Sequence, residues 1–210
     1  MDYATDEERV EELKKWWKEN GKSVIFGIVL GLGILFGWRW WQDHQLNQSI
    51  QASTLYNQLE LSIQQKKPEQ AEALSQQIKN QFENHAYAIY AVLAMAKVKQ
   101  DANDVPAAQA YLQWGLEHAK TPELKHLLTI RLARVLLSIN EDDKAYDLLD
   151  TTENTPFASS FEELKGDILM KKGKPEQALL AYQKATLMVP DGTTINPALQ
   201  YKIDDLSRSQ

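Results

Sequence analysis

Four histidines and one run of acids are the side chains of this sequence that could bind a metal ion. The run is Glu141-Asp142-Asp143, which the repeat pattern described below assigns to a turn between two helices. The histidines show no H-E-x-x-H or H-x-x-x-H spacing and are too scattered for a cluster of ligands; they are His44, His85, His118 and His126. We therefore expect surface or interface histidines, a solvated acidic turn and no metal site.

The sequence also lacks the patterns of common enzymes. It contains no cysteine, so a thiolate site, a disulfide and a cysteine nucleophile are excluded. It has neither the G-x-S-x-G spacing of a serine nucleophile nor a phosphate-binding P-loop. With a net charge of -6 and no basic stripe, it does not fit nucleic-acid binding. The sequence predicts a protein that is not an enzyme and needs no cofactor or small-molecule substrate.

An apolar run at residues 24–41 dominates the N-terminal part of the chain. Its one charged residue, Arg39, stands near the end among Trp38, Trp40 and Trp41. As a helix the run would span roughly 27 Å, close to the ~30 Å hydrocarbon core of a bilayer, with a tryptophan belt at one edge. A cleaved signal peptide is the alternative, but bulky residues follow the run and a long charged segment precedes it. We predict an uncleaved transmembrane helix over 23–42.

Basic residues flank this helix unequally. Lys66 is the first one after Arg39, whereas five precede the run: Arg9, Lys14, Lys15, Lys18 and Lys22. Positive charge stays on the cytoplasmic side of a membrane, and acidic residues contribute little to this bias. In a bacterium this predicts a single-pass inner-membrane protein with a cytoplasmic N-terminus and a periplasmic C-terminal domain.

Two pairs of glycines lie four residues apart within the run. They are Gly27 with Gly31 and Gly33 with Gly37. Such small-xxx-small pairs let a second membrane helix approach closely. Glycine is also common in transmembrane helices generally, so both interpretations stay open.

The segments on either side of the run are predicted helices. Residues 1–22 form a cytoplasmic amphipathic segment whose apolar stripe lies on the membrane surface or docks on a partner. Asn20-Gly21 predicts that this helix stops before the membrane. Residues 43–65 contain no Gly or Pro, so we expect them to continue the transmembrane helix as a stalk and to form the first helix of the periplasmic domain.

Residues 66–210 contain a repeated pattern. The segment 166–190 resembles a tetratricopeptide repeat (TPR), with small residues where two helices would cross, an aromatic residue and a closing proline. The matching residues are Gly166, Gly173, Ala178, Tyr182, Ala185 and Pro190.

Earlier copies of the repeat recur at periods of 33–37 residues. Asn140 takes the place of Gly173, and the place of Ala178 is taken by Ala145, Ala108 and Ala71 in turn. Helical hairpins of this kind bury their apolar faces only by stacking on one another. The predicted fold is therefore all-α: one N-terminal transmembrane helix followed by a TPR-like superhelix of about four helical hairpins.

Four short motifs then give the chain a family resemblance. E-N-G-K at 19–22, G-W-R-W-W-Q-D-H-Q at 37–45, R-L-A-R-V at 131–135 and Y-K-I-D-D-L-S at 201–207 resemble the YfgM family, the ancillary subunits of the bacterial SecYEG translocon. The resemblance runs over nearly the whole chain. It implies a single-span inner-membrane protein with a periplasmic TPR-like domain.

The partners follow from this resemblance alone. It implies binding to the SecYEG translocon, to a membrane-anchored prolyl-isomerase-type chaperone of the PpiD-like kind, and to unfolded secretory proteins on their way to periplasmic chaperones. A general envelope scaffold for cell-wall or outer-membrane assembly is the alternative, since the anchor and the repeats alone do not decide between the two functions.

TPR-like solenoids bind a peptide or helix on the concave face formed by the first helix of each hairpin. By analogy with that geometry, we expect this face to include Tyr90, Leu93, Lys97, Ile130, Arg134, Leu137, Asp167 and Met170.

Overall fold

The computed structural model describes residues 6–149, 155–190 and 194–208, and these residues contain helices and turns but no strand. The prediction of an all-α fold is thus confirmed. The helices are α1 Asp6–Gln64, α2 Pro68–Gln81, α3 Ala86–Asp101, α4 Val105–His118, α5 Pro122–Ser138, α6 Asp142–Leu148, α7 Ala158–Lys171, α8 Pro175–Leu187 and α9 Pro197–Arg208.

The chain divides into two compact units, residues 1–51 and residues 52–210. In the first unit the described residues belong to α1, and the large apolar side chains between Ile25 and Trp41 are about half exposed or more. Within the described part of the chain, α1 is the one helix long and apolar enough to cross a membrane.

The expected break at Asn20-Gly21 is wrong, because α1 continues through both residues. The side-chain amide of Asn20 donates to the carbonyl oxygen of Trp16 at 3.1 Å, one helical turn earlier. Gly21 lies under the indole ring of Trp17, where a Cβ would approach to 3.2 Å. A single Asn or Gly lowers helix stability by only about 1 kcal/mol or less, which the flanking helix-forming residues offset.

The second unit consists of four helical hairpins and a final helix. In three hairpins α3 packs with α4, α5 with α6 and α7 with α8, and α9 packs on α8. In the first hairpin the end of α1 (from Ala52) is joined to α2 by a short turn, and Leu59 of α1 shares a core with Ala71 and Ile78 of α2. Each turn contains one residue in the left-handed region: Lys66, Asn103, Asn140 and Gly173 have φ values of 56°, 59°, 61° and 69°. These positions recur at 37, 37 and 33 residues, so the turns reproduce the repeat that the sequence predicted.

The small residues of the repeat lie where helices cross. Ala71, Ala108, Ala145 and Ala178 are at most 1 % exposed. A Cβ on Gly166 would come within 2.3 Å of the ring carbon Cε1 of Tyr182. The aromatic side chain thus occupies the space that a methyl group would need, which explains why α7 has glycine at this crossing.

Candidate functional site

The first helices of the hairpins are neighbours in the second unit. α5 contacts both α3 and α7, so their surfaces form one face across successive hairpins. Two adjoining hollows on this face share Lys97 and Arg131, and we call them together the A-helix groove. One hollow is lined by Tyr56, Glu60, Tyr90, Leu93, Ala94, Lys97 and Arg131. The other is lined by Ala96, Lys97, Gln100, Leu112, Arg131 and Arg134.

Three tyrosines cluster at one end of the groove. The ring centroid of Tyr56 lies 5.7 Å from that of Tyr87 and 6.2 Å from that of Tyr90, and the last two rings are 5.8 Å apart, edge to face. The hydroxyl of Tyr56 donates to Glu60 Oε1 at 2.7 Å. Burial and this carboxylate raise the pKa of Tyr56 above its ordinary value. The tyrosine end therefore presents aromatic rings beside one carboxylate.

Basic side chains extend from the middle of the groove to its other end, since Lys97 and Arg131 line both hollows and Arg134 lines the second. Lys97 Nζ pairs with Asp101 at 3.0 Å, and both side chains are largely exposed. Within the described residues, neither Arg131 nor Arg134 forms a salt bridge with a carboxylate. This end of the groove thus combines two unpaired guanidinium groups with one exchangeable ammonium group.

The sequence of α5 explains why the arginines point outward. The helix begins where Thr121 Oγ1 accepts a hydrogen bond from the backbone N–H of Leu124 at 3.4 Å. Its buried stripe includes Leu128 and Leu132. Arg131 and Arg134 are three residues apart and therefore share a face of the helix, and both are exposed.

The structure brings together half of the residues predicted for the concave face. Tyr90, Leu93, Lys97 and Arg134 line the A-helix groove. Ile130, by contrast, is 5 % exposed and belongs to the core.

The other three predicted residues lie outside the groove. Leu137 packs against the core, and its backbone carbonyl accepts a hydrogen bond from Lys171 Nζ at 2.6 Å. Asp167 Oδ1 accepts hydrogen bonds from the hydroxyl of Tyr182 at 2.8 Å and from Lys202 Nζ at 2.6 Å, and so helps to hold α8 and α9. Met170 is 39 % exposed near the end of α7.

The sequence prediction missed seven groove residues, and the charged and aromatic ones among them are Arg131, Tyr56 and Glu60. Arg131 could have been found, since R-L-A-R-V places two arginines at helical spacing. Tyr56 and Glu60 lie in residues 43–65, the predicted stalk and first helix of the periplasmic domain, but the sequence does not show which face of that helix stays open.

Away from the groove, charged groups join successive hairpins. Glu72 on α2 accepts a hydrogen bond from the hydroxyl of Tyr111 on α4 and lies 2.9 Å from Lys99 Nζ on α3. Burial alone would raise the pKa of Glu72, but the bonds from Tyr111, Lys99 and Gln76 lower it below its ordinary value. This cluster is a structural contact between hairpins.

The acidic run before α6 is paired with α7. Asp142 Oδ1 lies 2.9 Å from Lys171 Nζ, and Asp143 is hydrogen-bonded to Lys172. The bond from Lys172 lowers the pKa of Asp143 below its ordinary value. The run thus joins two hairpins through ion pairs, and the described residues contain no group of three or more His, Cys, Asp or Glu side chains that could hold a metal ion.

The glycines of the apolar run have open surroundings. A Cβ on Gly27, Gly31, Gly33 or Gly37 would meet no atom within 4 Å among the described residues outside its immediate helix neighbours. Packing within the described chain therefore does not require glycine at any of the four positions.

Comparisons with known proteins agree with this fold. A family model described as a tetratricopeptide repeat-like domain matches residues 14–208. A structure titled as a functional characterization of pilF from Pseudomonas aeruginosa has a TM-score of 0.61 and 17% sequence identity over 78% of this chain and 70% of that chain. A tetratricopeptide repeat protein from Parabacteroides merdae has a TM-score of 0.51 and 16% identity over 74% and 57% of the two chains. The fold thus defines a TPR-like helical repeat protein, and its apolar α1 fits a membrane-anchored, single-pass chain.

Curated relatives give the particular family. The protein of Haemophilus influenzae named ancillary SecYEG translocon subunit is 36% identical over 88% of this chain and 91% of its own. That of Escherichia coli with the same name is 32% identical over 98% of both chains. The chain therefore belongs to the TPR-like family of the ancillary SecYEG translocon subunits, the YfgM family.

Proposed function

We propose that this protein is a non-catalytic subunit of a bacterial protein translocon, anchored by α1, that uses its TPR-like domain to bind other proteins. The names of its relatives support association with the SecYEG translocon. The A-helix groove supports the binding function, since it is an exposed hollow with aromatic and basic side chains on a helical repeat scaffold.

The expected orientation gives this groove its partners. With the N-terminus cytoplasmic, residues 52–210 lie in the periplasm, where translocated proteins emerge unfolded. The domain binds such proteins, or a membrane-anchored prolyl-isomerase-type chaperone of the PpiD-like kind, and helps to pass translocated proteins to periplasmic chaperones.

The glycine faces of α1 are the proposed contact within the membrane. A helical glycine lowers stability by roughly 0.5–1 kcal/mol relative to alanine, and no contact within the described chain compensates for this at Gly27, Gly31, Gly33 or Gly37. Close approach of a second membrane helix would use the flat surface that these residues leave.

A native pull-down from membranes in mild detergent tests this function. The full-length protein is compared with a chain whose residues 23–42 are replaced by an unrelated transmembrane helix. We expect translocon subunits and an anchored isomerase to copurify with the native chain. Their loss from the exchanged chain would assign the main contact to the glycine faces, and their retention would assign it to the TPR-like domain. Recovery of cell-wall or outer-membrane machinery in their place would contradict the proposal and favour the envelope scaffold.

A further inference from the structure

The A-helix groove has two chemically different ends, and this difference defines what it can bind. Its lining contains three basic side chains, Lys97, Arg131 and Arg134, but one carboxylate, Glu60. The basic residues stand out because the whole chain has a net charge of -6. We propose that the groove binds an acidic segment of a partner protein in which an aromatic residue is about three positions from the carboxylates.

The choice of ligand at the basic end follows from its hydrogen-bond donors. A guanidinium group presents its N–H donors in a planar fork that matches a carboxylate. Arg131 and Arg134 have no carboxylate partner within the described residues, so a ligand breaks no ion pair of these arginines when it binds. Lys97 can exchange its exposed partner Asp101 for a carboxylate of the ligand.

The type of ligand side chain that binds at the other end follows from the tyrosine cluster. Tyr90 is 40 % exposed and stacks edge to face with Tyr87, so its ring is accessible to another aromatic side chain. Glu60 Oε1 accepts a hydrogen bond from the hydroxyl of Tyr56 at this end. The exposed ring of Tyr90 therefore offers a contact for an aromatic residue, and Glu60 is the one carboxylate in the lining of this hollow.

The distance between the two ends sets the spacing in the ligand. Tyr90 and Lys97 are seven residues apart on α3, or about 10 Å along the helix axis. An extended chain covers that length in about three residues. The groove therefore selects both residue types and their separation.

Peptide binding to the full-length protein in phosphatidylcholine nanodiscs tests the inference. The probe is a fluorescent nine-residue peptide with blocked ends, carrying one tyrosine three positions from a pair of glutamates. We expect it to bind at least about fivefold more tightly than the same peptide with glutamines, measured by fluorescence anisotropy at low salt. Replacing the tyrosine by serine should also weaken binding.

Charge variants assign the binding to the groove. The double variant Arg131→Gln/Arg134→Gln should lose the preference for glutamate, whereas Lys125→Gln, an exposed position on the same helix, should keep it. Both arginines are exposed, so we expect the fold to persist, and circular dichroism checks this. Equal affinity for the glutamate and glutamine peptides, or an arginine-dependent attraction to phosphatidylglycerol vesicles without peptide binding, would overturn the inference.

This inference rests on the proposed binding function, but the two fail separately. If translocon subunits copurify and the peptide preference is absent, the translocon association stands and the acidic ligand is wrong. If the peptide preference depends on the arginines and no translocon subunit copurifies, the ligand stands and the translocon association is wrong.

Discussion

Gly166 shows how one small residue can determine how closely the two helices of a repeat pack. Because a Cβ at this position would lie 2.3 Å from Tyr182 Cε1, the two helices of the last hairpin can approach only if glycine is present. The hydroxyl of Tyr182 is in turn fixed by Asp167, which prevents an easy rotation of the ring.

We predict that Gly166→Ala destabilises the TPR-like domain by about 1–3 kcal/mol, the usual effect of overpacking. The measurement is the apparent Tm of the purified full-length protein in mild detergent, followed by circular dichroism. Gly33→Ala is the matched control, since a methyl group there meets no other side chain of the described residues. An unchanged Tm for Gly166→Ala would mean that the crossing has more space than the structure shows.

Three tyrosines connect the stability of the domain to alkaline pH. Burial, together with a hydrogen bond to a carboxylate, raises the pKa of Tyr56, Tyr111 and Tyr182 above their ordinary value. A pKa that is higher in the folded state contributes stability in full below the unfolded value, near pH 10, and this contribution is lost as the pH rises toward the folded value.

The expected result is a Tm that stays level up to about pH 10 and falls between about pH 10 and about pH 12. Replacing Tyr111 and Tyr182 by phenylalanine should make this fall smaller, although it lowers the Tm at neutral pH by removing hydrogen bonds. Tyr201→Phe is the control, because the side chain of Tyr201 is 74 % exposed. The Tm of this variant should depend on pH in the same way as that of the wild type. The idea fails if the wild type and the double variant lose the same number of degrees over this range.

At the scale of elements, the turns between helices define the repeat more sharply than the helices do. Lys66, Asn103, Asn140 and Gly173 all adopt positive φ, although three different residue types occupy the four positions. Glycine and asparagine reach this region readily. The shared backbone conformation therefore reveals four equivalent hairpins where the sequence shows one clear repeat and three faint ones.

A pair of substitutions at Asn140 tests the role of the turn. Asn140→Val should lower stability by about 1–3 kcal/mol, because a β-branched residue is strained at a φ of 61°. Asn140→Gly adopts the same backbone without strain and should change stability by about 1 kcal/mol or less. Thermal melting of both variants distinguishes backbone strain from loss of the side chain, and equal losses would point to the side chain.

For the whole molecule, the untested prediction with the largest consequence is the orientation of α1 in the membrane. The absence of native cysteine makes single cysteines unique labels. Lys15→Cys and Asn84→Cys place exposed thiols before the apolar run and between α2 and α3.

With the outer membrane permeabilised, we expect a membrane-impermeant maleimide to label Asn84→Cys in cells whose inner membrane is intact. Lys15→Cys should react only after that membrane is disrupted. Each variant is the control for the other. The reverse labelling pattern would place the TPR-like domain in the cytoplasm, and the proposal that it binds proteins emerging in the periplasm would then be wrong.

Much of this protein could be predicted from local sequence patterns. The apolar run at 24–41, the helical content and the repeat period all depend on residues close together in the chain, and they survive in the structure. The break predicted at Asn20-Gly21 was wrong because a local stop signal is weak compared with the helix on either side of it.

The A-helix groove, in contrast, depends on how the hairpins stack. The sequence indicated Tyr90, Leu93, Lys97 and Arg134, but it also placed the core residue Ile130 in the same set. It could not show which helix faces remain open, because that depends on the contacts of α5 with both α3 and α7.

The sequence by itself determined the apolar helix and the all-helical repeat, since these follow from hydrophobic length and periodic spacing. The family resemblance came from its short motifs. Only the tertiary structure decided that Asp167 is engaged by Tyr182 and Lys202, and that Arg131 lines the same hollow as Tyr56 and Tyr90. These contacts join residues tens of positions apart, so they exist only once the hairpins have packed.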